Sequence, residues 1–311
     1  MRNRIVLLVP YYGKVPDYFN LWLASAENNP EFDFYVISDL RLNISNSSNV
    51  KLINLSFSLV QKRIKHLFVG SVISSPYKLC DYKPAYGVIF SDLIQGYDFL
   101  GYCDVDLIFG KLSSFISDEL LTKHDKLFYH GHFTLFRNQE YVNHLFLKKY
   151  DKVIDYDYAF HTNYVCHFDE NGTVAYAYKY GDIKQYFNWL FYDAPFYSYL
   201  LVKQRSTDEL FLHYNNGNLY LCNSDNCSEV MYVHLQKRRM IGWQTLDNIN
   251  DYYILRNMFL IQSDFVNQIQ NVDYSEKYEF EKNYRFNYRK NQIKNLFLGA
   301  IKFRMKRFRK Y

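Results

Sequence analysis

Short apolar runs alternate with stretches of helical periodicity through the first hundred residues of the chain. Four runs have the length and composition of buried β-strands: Arg4–Pro10, Phe32–Ile37, Val50–Leu55 and Phe99–Cys103. Apolar residues at helical spacing predict three helices: Asp17–Asn28, Leu59–Phe68 and Tyr82–Leu93. Pro84 suits the first turn of the third helix, where a missing N–H costs little. The alternation predicts an α/β fold with a mainly parallel sheet flanked by helices.

The pattern is less regular after residue 106. Residues Leu127–Phe136 predict a strand or a pair of strands, and Asp251–Gln270 is mixed and mainly helical in character. Late strands are predicted at Tyr220–Cys222 and Val230–His234. We expect one large domain over residues 1–272, followed by a C-terminal extension.

The extension, residues 273–311, carries the positive charge of the chain. Residues 282–311 hold 11 Lys and Arg and no acid, so the rest of the chain has 26 basic residues (37 − 11) against 32 acidic ones. Apolar residues recur at helical spacing over 291–311. A basic amphipathic helix is typical of contact with an anionic membrane surface. A plain packing helix is the alternative, and no nucleic-acid recognition motif accompanies the tail, so no nucleic-acid partner is expected.

Composition adds little to this picture. Aromatic residues make up 20% of the chain, with 32 Tyr and 26 Phe; Tyr lines many sugar sites, but a biased base composition of the gene explains the excess equally well. The five Cys form no CxxC pair and are odd in number, so we expect neither a disulfide framework nor a zinc site. No secretory signal and no long apolar run is visible, which favours a cytoplasmic protein.

The most informative motif is Asp104-Val105-Asp106, which follows the apolar run Phe99–Cys103. Ligands of open α/β sheets bind at the carboxyl ends of the strands. In extended geometry the two carboxylates would point to one side, where a divalent cation relieves their repulsion. Mg²⁺ or Mn²⁺ prefers such oxygen ligands and often bridges carboxylates to substrate phosphates. A solvated turn is the alternative, because Asp-x-Asp is common by chance.

A strand that ends in Asp-x-Asp after three β/α units resembles the metal-binding motif of GT-A glycosyltransferases. More closely, residues 3–245 resemble a poorly characterised bacterial group found in capsule and lipopolysaccharide biosynthesis. Four segments in this order carry the resemblance: Lys78–Gly87, Gly101–Asp106, Gly131–Asn138 and His234–Arg238. The resemblance implies a GT-A, Rossmann-like fold, with a donor half over about residues 1–110 and an acceptor half over about 111–272.

The resemblance also implies how the metal and the diphosphate are held. In the related glycogenin and lipopolysaccharide galactosyltransferase group, a late His completes the protein ligands of the metal, which here corresponds to His234 with Asp104 and Asp106. Lys237 and Arg238 follow it and would bind the diphosphate. The alternative is a strand-end His that makes one ordinary hydrogen bond.

Further donor contacts are expected on the same basis. The segment with Lys78, Asp81 and Lys83 lines the donor pocket in the resembled group: Lys offers a charge to phosphate, and Asp81 could accept bonds from sugar hydroxyls. A solvated helix start is the alternative. In GT-A enzymes the loop after the first strand holds the base, which predicts stacking on Tyr11 or Tyr12.

The remaining donor candidates are backbone or turn positions, each with a structural alternative. Pro10 belongs to the loop after the first strand, and Val105 lies between the two acidic residues of the motif. Asp39 closes the second strand and could bond the base or the ribose, or be a turn residue.

A second polar set provides candidates for catalysis. Asp169 or Glu170 could deprotonate the acceptor hydroxyl, although Asp169-Glu170-Asn171-Gly172 equally suits a hairpin turn. His132 lies in a predicted strand and faces either the acceptor or the core. Trp189 and Asp193 are weaker acceptor candidates, and Trp189 has the character of a core residue.

These features favour a hexosyltransferase that moves a sugar from a nucleotide diphosphate donor, with a UDP-sugar expected, to a lipid-linked capsular or O-antigen oligosaccharide. The enzyme would work at the inner face of the plasma membrane as a peripheral protein. A sugar nucleotidyltransferase is one alternative, but Pro10–Lys14 is a poor match to its Gly-rich phosphate loop. A non-catalytic, membrane-associated subunit of a polysaccharide assembly is the other.

Overall fold

The structure is a computed structural model that describes residues 3–45, 49–194, 202–203, 209–223 and 225–270, together with residues 282, 283 and 286. Its strands are β1 Ile5–Pro10, β2 Phe32–Ser38, β3 Val50–Asn54, β4 Phe99–Cys103, β5 Leu107–Phe109, β6 Lys126–His130, β7 Phe133–Arg137, β8 Gln185–Tyr186, β9 Tyr192–Asp193, β10 Val202–Lys203, β11 Glu209–Asn215, β12 Asn218–Cys222, β13 Cys227–Glu229, β14 Tyr232–His234, β15 Asp251–Ile254 and β16 Phe259–Leu260.

The α-helices are mostly short. They are α1 Phe19–Glu27, α2 Phe57–Leu67, α3 Tyr86–Ile89, α4 Asp118–Lys123, α5 Glu140–Asn143, α6 Tyr156–His161, α7 Phe168–Asn171, α8 Thr173–Tyr176 and α9 Gln262–Gln270. Segments of 3₁₀-helix lie at Pro76–Ala85, Leu112–Ser114, Leu145–Leu147, Ala177–Tyr180 and Trp243–Thr245.

The main sheet has seven strands in the order β3-β2-β1-β4-β7-β6-β8. The first four are parallel to one another. Strand β7 runs antiparallel to β4 and to β6, and the edge strand β8 runs parallel to β6. The protein therefore has an α/β fold with a large, mostly parallel mixed sheet and flanking helices, compatible with a Rossmann-like arrangement.

Side-chain alternation along the strands builds a core on each face of this sheet. In β1, Val6 and Leu8 pack into the cluster that contains α2, α3 and α6, whereas Ile5, Leu7 and Val9 pack into the cluster with α1 and α4. All five are nearly inaccessible to solvent, as expected of a central strand covered on both faces.

Two smaller sheets complete the described part of the fold. Strand β14 pairs antiparallel with β5 and parallel with β9, which brings His234 back beside the end of β4. The other sheet has the order β13-β12-β11-β15-β16, with β10 also paired to β11. Its apolar face packs on Tyr18 and Leu21 near the start of α1.

Three local predictions were wrong. The predicted helix Tyr82–Leu93 is instead a 3₁₀ segment, Pro76–Ala85, followed by the single-turn helix α3, and Pro84 lies inside the 3₁₀ segment. The alternative hairpin turn at Asp169–Gly172 is instead the helix α7. The stretch Asp251–Gln270 begins with β15 and β16, and only its second half is helical.

The cysteines also differ from expectation, because Cys222 and Cys227 form a disulfide across the β12–β13 hairpin. The odd number of cysteines gave no indication of this pair, because the other three, Cys80, Cys103 and Cys166, are free. The two partners face each other in neighbouring strands, and a spacing of five residues does not reveal that pairing without the hairpin.

No helix in the described part of the chain is long and apolar enough to cross a membrane. The predicted amphipathic tail, over residues 291–311, lies outside the described residues.

Candidate functional site

A cleft of about 760 Å³ opens at the carboxyl ends of β1 and β4, beside β14. It gathers most of the residues that the sequence singled out. Those on its wall are Pro10, Tyr11, Tyr12, Lys83, Asp104, Val105, Asp106, His132, Asp169, Glu170, His234, Lys237 and Arg238.

Asp104 and Asp106 sit in different environments. The chain bends at residues 105 and 106, so the motif is not a continuous extended strand, contrary to the geometry that we expected. The side chain of Asp104 is 29% exposed, whereas that of Asp106 is 3% exposed. One carboxylate therefore faces the cleft and the other is held in its wall.

Lys83 bridges the two acidic regions of the cleft. Its Nζ donates to Oδ1 of Asp104 at 2.8 Å and to the carbonyl oxygen of Gly131 at 2.6 Å, and it lies 3.7 Å from Oδ2 of Asp169. The side chain is only 11% exposed. Burial opposes its charged form, but Asp104 and Asp169 outweigh burial and raise the pKa of Lys83 well above its usual range. Lys83 is therefore a permanent cation.

Asp106, His234 and Asp193 form a connected row, of which Asp106 and His234 line the cleft. His234 places Nε2 at 3.5 Å from Oδ2 of Asp106 and Nδ1 at 3.0 Å from Oδ1 of Asp193. Burial lowers the pKa of His234, but the two carboxylates outweigh burial and raise it to about 9. The partners of Asp106, which include the backbone N–H of Lys237 at 2.6 Å, outweigh burial and lower the pKa of its carboxyl group.

The segment after β14 turns sharply to close the cleft. Gln236 and Lys237 both have positive φ, at 55° and 56°, and the Gln236 amide donates to Asp193 at 2.6 Å. Lys237 is exposed, with its Nζ 4.4 Å from the centre of the Tyr77 ring. Arg238 donates to the carbonyl oxygens of Ala194 and Arg256, so its guanidinium also braces the backbone.

Asp169 and Glu170 of α7 lie opposite the Asp104 motif, against the loop between β6 and β7. The N–H of Gly131 donates to Oε1 of Glu170 at 2.7 Å. A Cβ at Gly131 would lie 2.4 Å from Oδ2 of Asp169, so only glycine allows this approach. Burial raises the pKa of Asp169 to about 6, with Lys83 acting in the opposite direction. Such a carboxylate can accept a proton near neutral pH.

His132 lies between the two halves of the site. Its Nδ1 is 3.1 Å from the hydroxyl of Tyr232, and its ring stacks on His234 at 4.3 Å between centroids and on His130 at 5.0 Å. Burial, followed by the neighbouring His234 and His130, lowers the pKa of His132 well below its usual value. The ring is therefore neutral, and it is both packed and adjacent to the cleft.

The loop after β1 forms a further part of the cleft wall. The hydroxyl of Tyr11 donates to the carbonyl oxygen of Lys14, and that of Tyr12 donates to Leu55. Burial and then Asp106 raise the pKa of Tyr11, which places this ring on the metal-motif side of the cleft. The Tyr12 ring packs on Phe57 at 5.3 Å.

Three predicted donor contacts do not lie on the cleft wall. Lys78 and Asp81 form a fully buried pair at 2.6 Å, and Lys78 also donates to the carbonyl oxygens of Ala159 and Tyr164. Asp81 accepts from the backbone N–H groups of Cys166 and Phe168. Asp39 is exposed and accepts from the N–H of Phe57. The internal contacts of the buried pair assign it a structural role, because it anchors the start of α7.

Two further candidates have contacts or exposure that the sequence did not predict. Asp193, a weak acceptor candidate, is the side chain that orients His234. The structure also leaves Trp189 53% exposed, so the core character expected of it was wrong. Gln236 and Tyr18, both on the cleft wall, were missed. Their only signal was nearness to His234 and to the loop after β1.

The donor atoms of the cleft fit a divalent cation in their chemistry. Oδ1 of Asp106 is buried without a hydrogen-bond partner, next to His234. In the described part of the chain, however, no group of three or more His, Cys, Asp or Glu side chains is already arranged to hold a metal. Asp104 is engaged by Lys83, and His234 holds a proton. Cation binding would need Asp104 to leave Lys83 and His234 to lose that proton.

Comparison with known proteins identifies a family, but one whose function is unknown. A search of curated proteins finds no match to the chain. A family model matches residues 7–263, which include the whole cleft wall and most of the described fold. The chain belongs to this family, which is described as a family of unknown function, DUF6625.

Proposed function

We propose that the protein is a metal-dependent glycosyltransferase of the GT-A type, which moves a hexose from a nucleotide diphosphate sugar to a glycan. One observation carries the proposal: Oδ1 of Asp106 is buried without a hydrogen-bond partner, in the wall of a cleft that also holds Asp104, His234 and exposed cations. An unpaired buried carboxylate oxygen is costly, and a ligand that meets it recovers that cost.

Asp104, Asp106 and His234 are the residues that would hold Mn²⁺ or Mg²⁺. When bound there, the cation would neutralise charge on the diphosphate leaving group. Lys237 and Arg239 are exposed at the same wall and supply positive charge to the phosphates, and Tyr11 offers a ring face to the base. A UDP-sugar is the donor that we propose.

Asp169 supports the acceptor half of the proposal. It lies 3.7 Å from Lys83, across the cleft from Asp106, and its pKa of about 6 lets it accept a proton from an attacking hydroxyl. Lys83 holds Asp104 and attracts Asp169, so it fixes the spacing of the two carboxylates. Glu170, held by the Gly131 N–H, is positioned to bind an acceptor hydroxyl.

The basic tail supports a membrane-bound acceptor. Its 11 cations contrast with a net charge of −6 on the rest of the chain. We propose that the tail holds the enzyme at an anionic membrane surface, with the acceptor an oligosaccharide on a lipid carrier.

Hydrolysis of nucleotide sugars tests the donor and metal parts directly. The full-length protein is incubated with UDP-, GDP- and CDP-sugars, with and without Mn²⁺, because glycosyltransferases commonly leak donor hydrolysis to water. We expect one donor to be hydrolysed only with the cation. Asp106→Asn keeps the size of the side chain and an acceptor for the Lys237 N–H but removes the charge, and should lower the rate at least 100-fold.

Asp92→Asn is the matched control, because Asp92 is exposed and pairs with Arg63 away from the cleft. It should hydrolyse the donor at the wild-type rate. Metal-dependent hydrolysis that persists in Asp106→Asn contradicts the assignment. Consumption of a nucleoside triphosphate together with a sugar phosphate would instead identify a nucleotidyltransferase.

A further inference from the structure

Three exposed aromatic rings lie around the half-buried ring of His130, close to the cleft. Trp189 is 53% exposed, Phe187 41% and Tyr129 37%. Ring centroids follow one another at 5.7 Å from Phe187 to Tyr129, 4.0 Å from Tyr129 to His130 and 4.9 Å from His130 to Trp189. Large apolar side chains that are exposed together, rather than singly, mark interaction sites. We define these four residues as the aromatic ridge.

The ridge contacts the proposed catalytic site at His130. His130 stacks on His132, which lines the cleft and stacks on His234. The next residue after His130 is Gly131, whose N–H binds Glu170. A molecule lying on the ridge therefore contacts His130 beside the loop that holds Glu170, close to the proposed position of the acceptor hydroxyl.

We propose that the aromatic ridge binds the acceptor glycan as a chain of at least two sugars, with its growing end in the cleft. The inference rests on the proposed transferase function. Sugar rings stack their C–H faces on aromatic rings, and several exposed rings in a row serve several sugars. Polar groups interleave with the rings: Asn188 donates to the hydroxyl of Tyr186 beside the ridge.

The charge around the ridge favours a glycan over a lipid surface as its ligand. Burial lowers the pKa of His130, whereas Glu170 and then Asp193 act in the opposite direction. Both carboxylates therefore lie near the His130 ring of the ridge. Carboxylates accept hydrogen bonds from sugar hydroxyls but repel anionic lipid headgroups. A neutral or weakly charged glycan suits this surface better than a membrane does.

Binding without nucleotide or metal tests the ridge independently of catalysis. The full-length protein is applied to immobilised bacterial surface oligosaccharides of one to six sugars, and separately to vesicles of phosphatidylglycerol and phosphatidylethanolamine. We expect binding to some oligosaccharides of two or more sugars, weakened at least tenfold by Trp189→Ala and by Phe187→Ala. Tyr158→Ala is the matched control, because Tyr158 is 50% exposed outside the ridge, and should bind as the wild type does.

A spectroscopic measurement accompanies the binding assay. Trp22 is fully buried, so quenching of tryptophan fluorescence by acrylamide reports mainly on Trp189 and the less exposed Trp243. The bound oligosaccharide should reduce quenching in the wild type and in Trp243→Phe, but not in Trp189→Ala. Three results would overturn the proposal. They are wild-type glycan binding by the ridge variants, no binding of the wild type to any oligosaccharide, and ridge variants that lose vesicle binding instead of glycan binding. Donor hydrolysis that fails while glycan binding persists would instead count against the transferase reaction alone.

Discussion

Lys126 holds a buried amine outside the cleft wall. Its side chain is fully buried in β6, and its Nζ has no hydrogen-bond partner among the described residues, only the Phe136 ring at 5.6 Å. Burial lowers its pKa to about 7, against about 10.4 in an unfolded chain. Between these values the unfolded chain binds more protons, so stability rises as pH increases from 7 to 10.

Lys126→Met should therefore raise the free energy of unfolding at pH 7 by about 1–3 kcal/mol and flatten its rise with pH. Urea unfolding at pH 7, 8 and 9 measures both effects. Lys123→Met is the control: Lys123 is 63% exposed in a surface pair with Glu119, and its change should stay within about 0.5 kcal/mol. Equal stability of Lys126→Met and wild type across this range would show that the buried amine carries no cost.

Asp169 should set the acid limb of the transfer reaction. Burial raises its pKa to about 6, and only the deprotonated form accepts a proton. We therefore expect kcat/KM for the proposed sugar transfer to fall about tenfold per pH unit below pH 6. Asp169→Asn should lower kcat at least 100-fold, and its residual rate should lack this limb. If the fall in rate below pH 6 were unchanged in Asp169→Asn, the proton acceptor would be Glu170 or another group.

At the residue scale, the sequence shows which side chains have the chemistry of a binding site better than it shows where those side chains lie in the fold. Asp104, Asp106 and His234 were predicted together, and they do meet on one cleft wall, because β14 pairs with β5, the strand directly after the motif. Lys78 and Asp81 are charged residues that were predicted for the same site, but they form an internal pair. Their burial depends on contacts with Tyr164 and Cys166, more than 80 residues away, which local pattern does not encode.

For helices and strands too, the sequence predicts local pattern but not the effect of tertiary contacts. Strands β1 to β4 were predicted within a residue or two, because apolar runs of this length leave few alternatives. Helix α7 was not predicted, since Asp169, Asn171 and Gly172 are of residue types that favour turns. Its start is fixed by Asp81, which accepts from the N–H of Phe168, and its end by the bridge between Gly172 and Ile154. Tertiary contacts overrode the local preference.

The β12–β13 hairpin gives a prediction at this scale. Its disulfide closes a loop with a sequence separation of five, for which restriction of the unfolded chain predicts about 2 kcal/mol of stabilisation. Cys222→Ser with Cys227→Ser should lower the free energy of unfolding by about that amount, and reductant should destabilise the wild type but not the variant. Thiol titration of the unfolded protein should give three groups before reduction and five after it. Five thiols in freshly purified protein would refute the pairing.

At the scale of the whole molecule, charge is divided between body and tail. The last 30 residues carry 11 cations, and the remainder has a net charge of −6. An anionic membrane would attract the first and repel the second, so the tail alone would have to supply the attraction. Each Lys or Arg near such a surface contributes about 1 kcal/mol, and added salt screens the interaction.

We therefore expect the full-length protein to sediment with vesicles that contain phosphatidylglycerol, but not with neutral ones, and to be released by high salt. Replacement of Lys306, Arg307, Arg309 and Lys310 by Gln should weaken vesicle binding at least tenfold, because about 4 kcal/mol of attraction is removed. The control variant replaces Lys51, Lys62, Lys65 and Lys111 of the body by Gln, which lowers net charge equally. If both variants lost binding alike, total charge rather than the tail would hold the protein at the membrane.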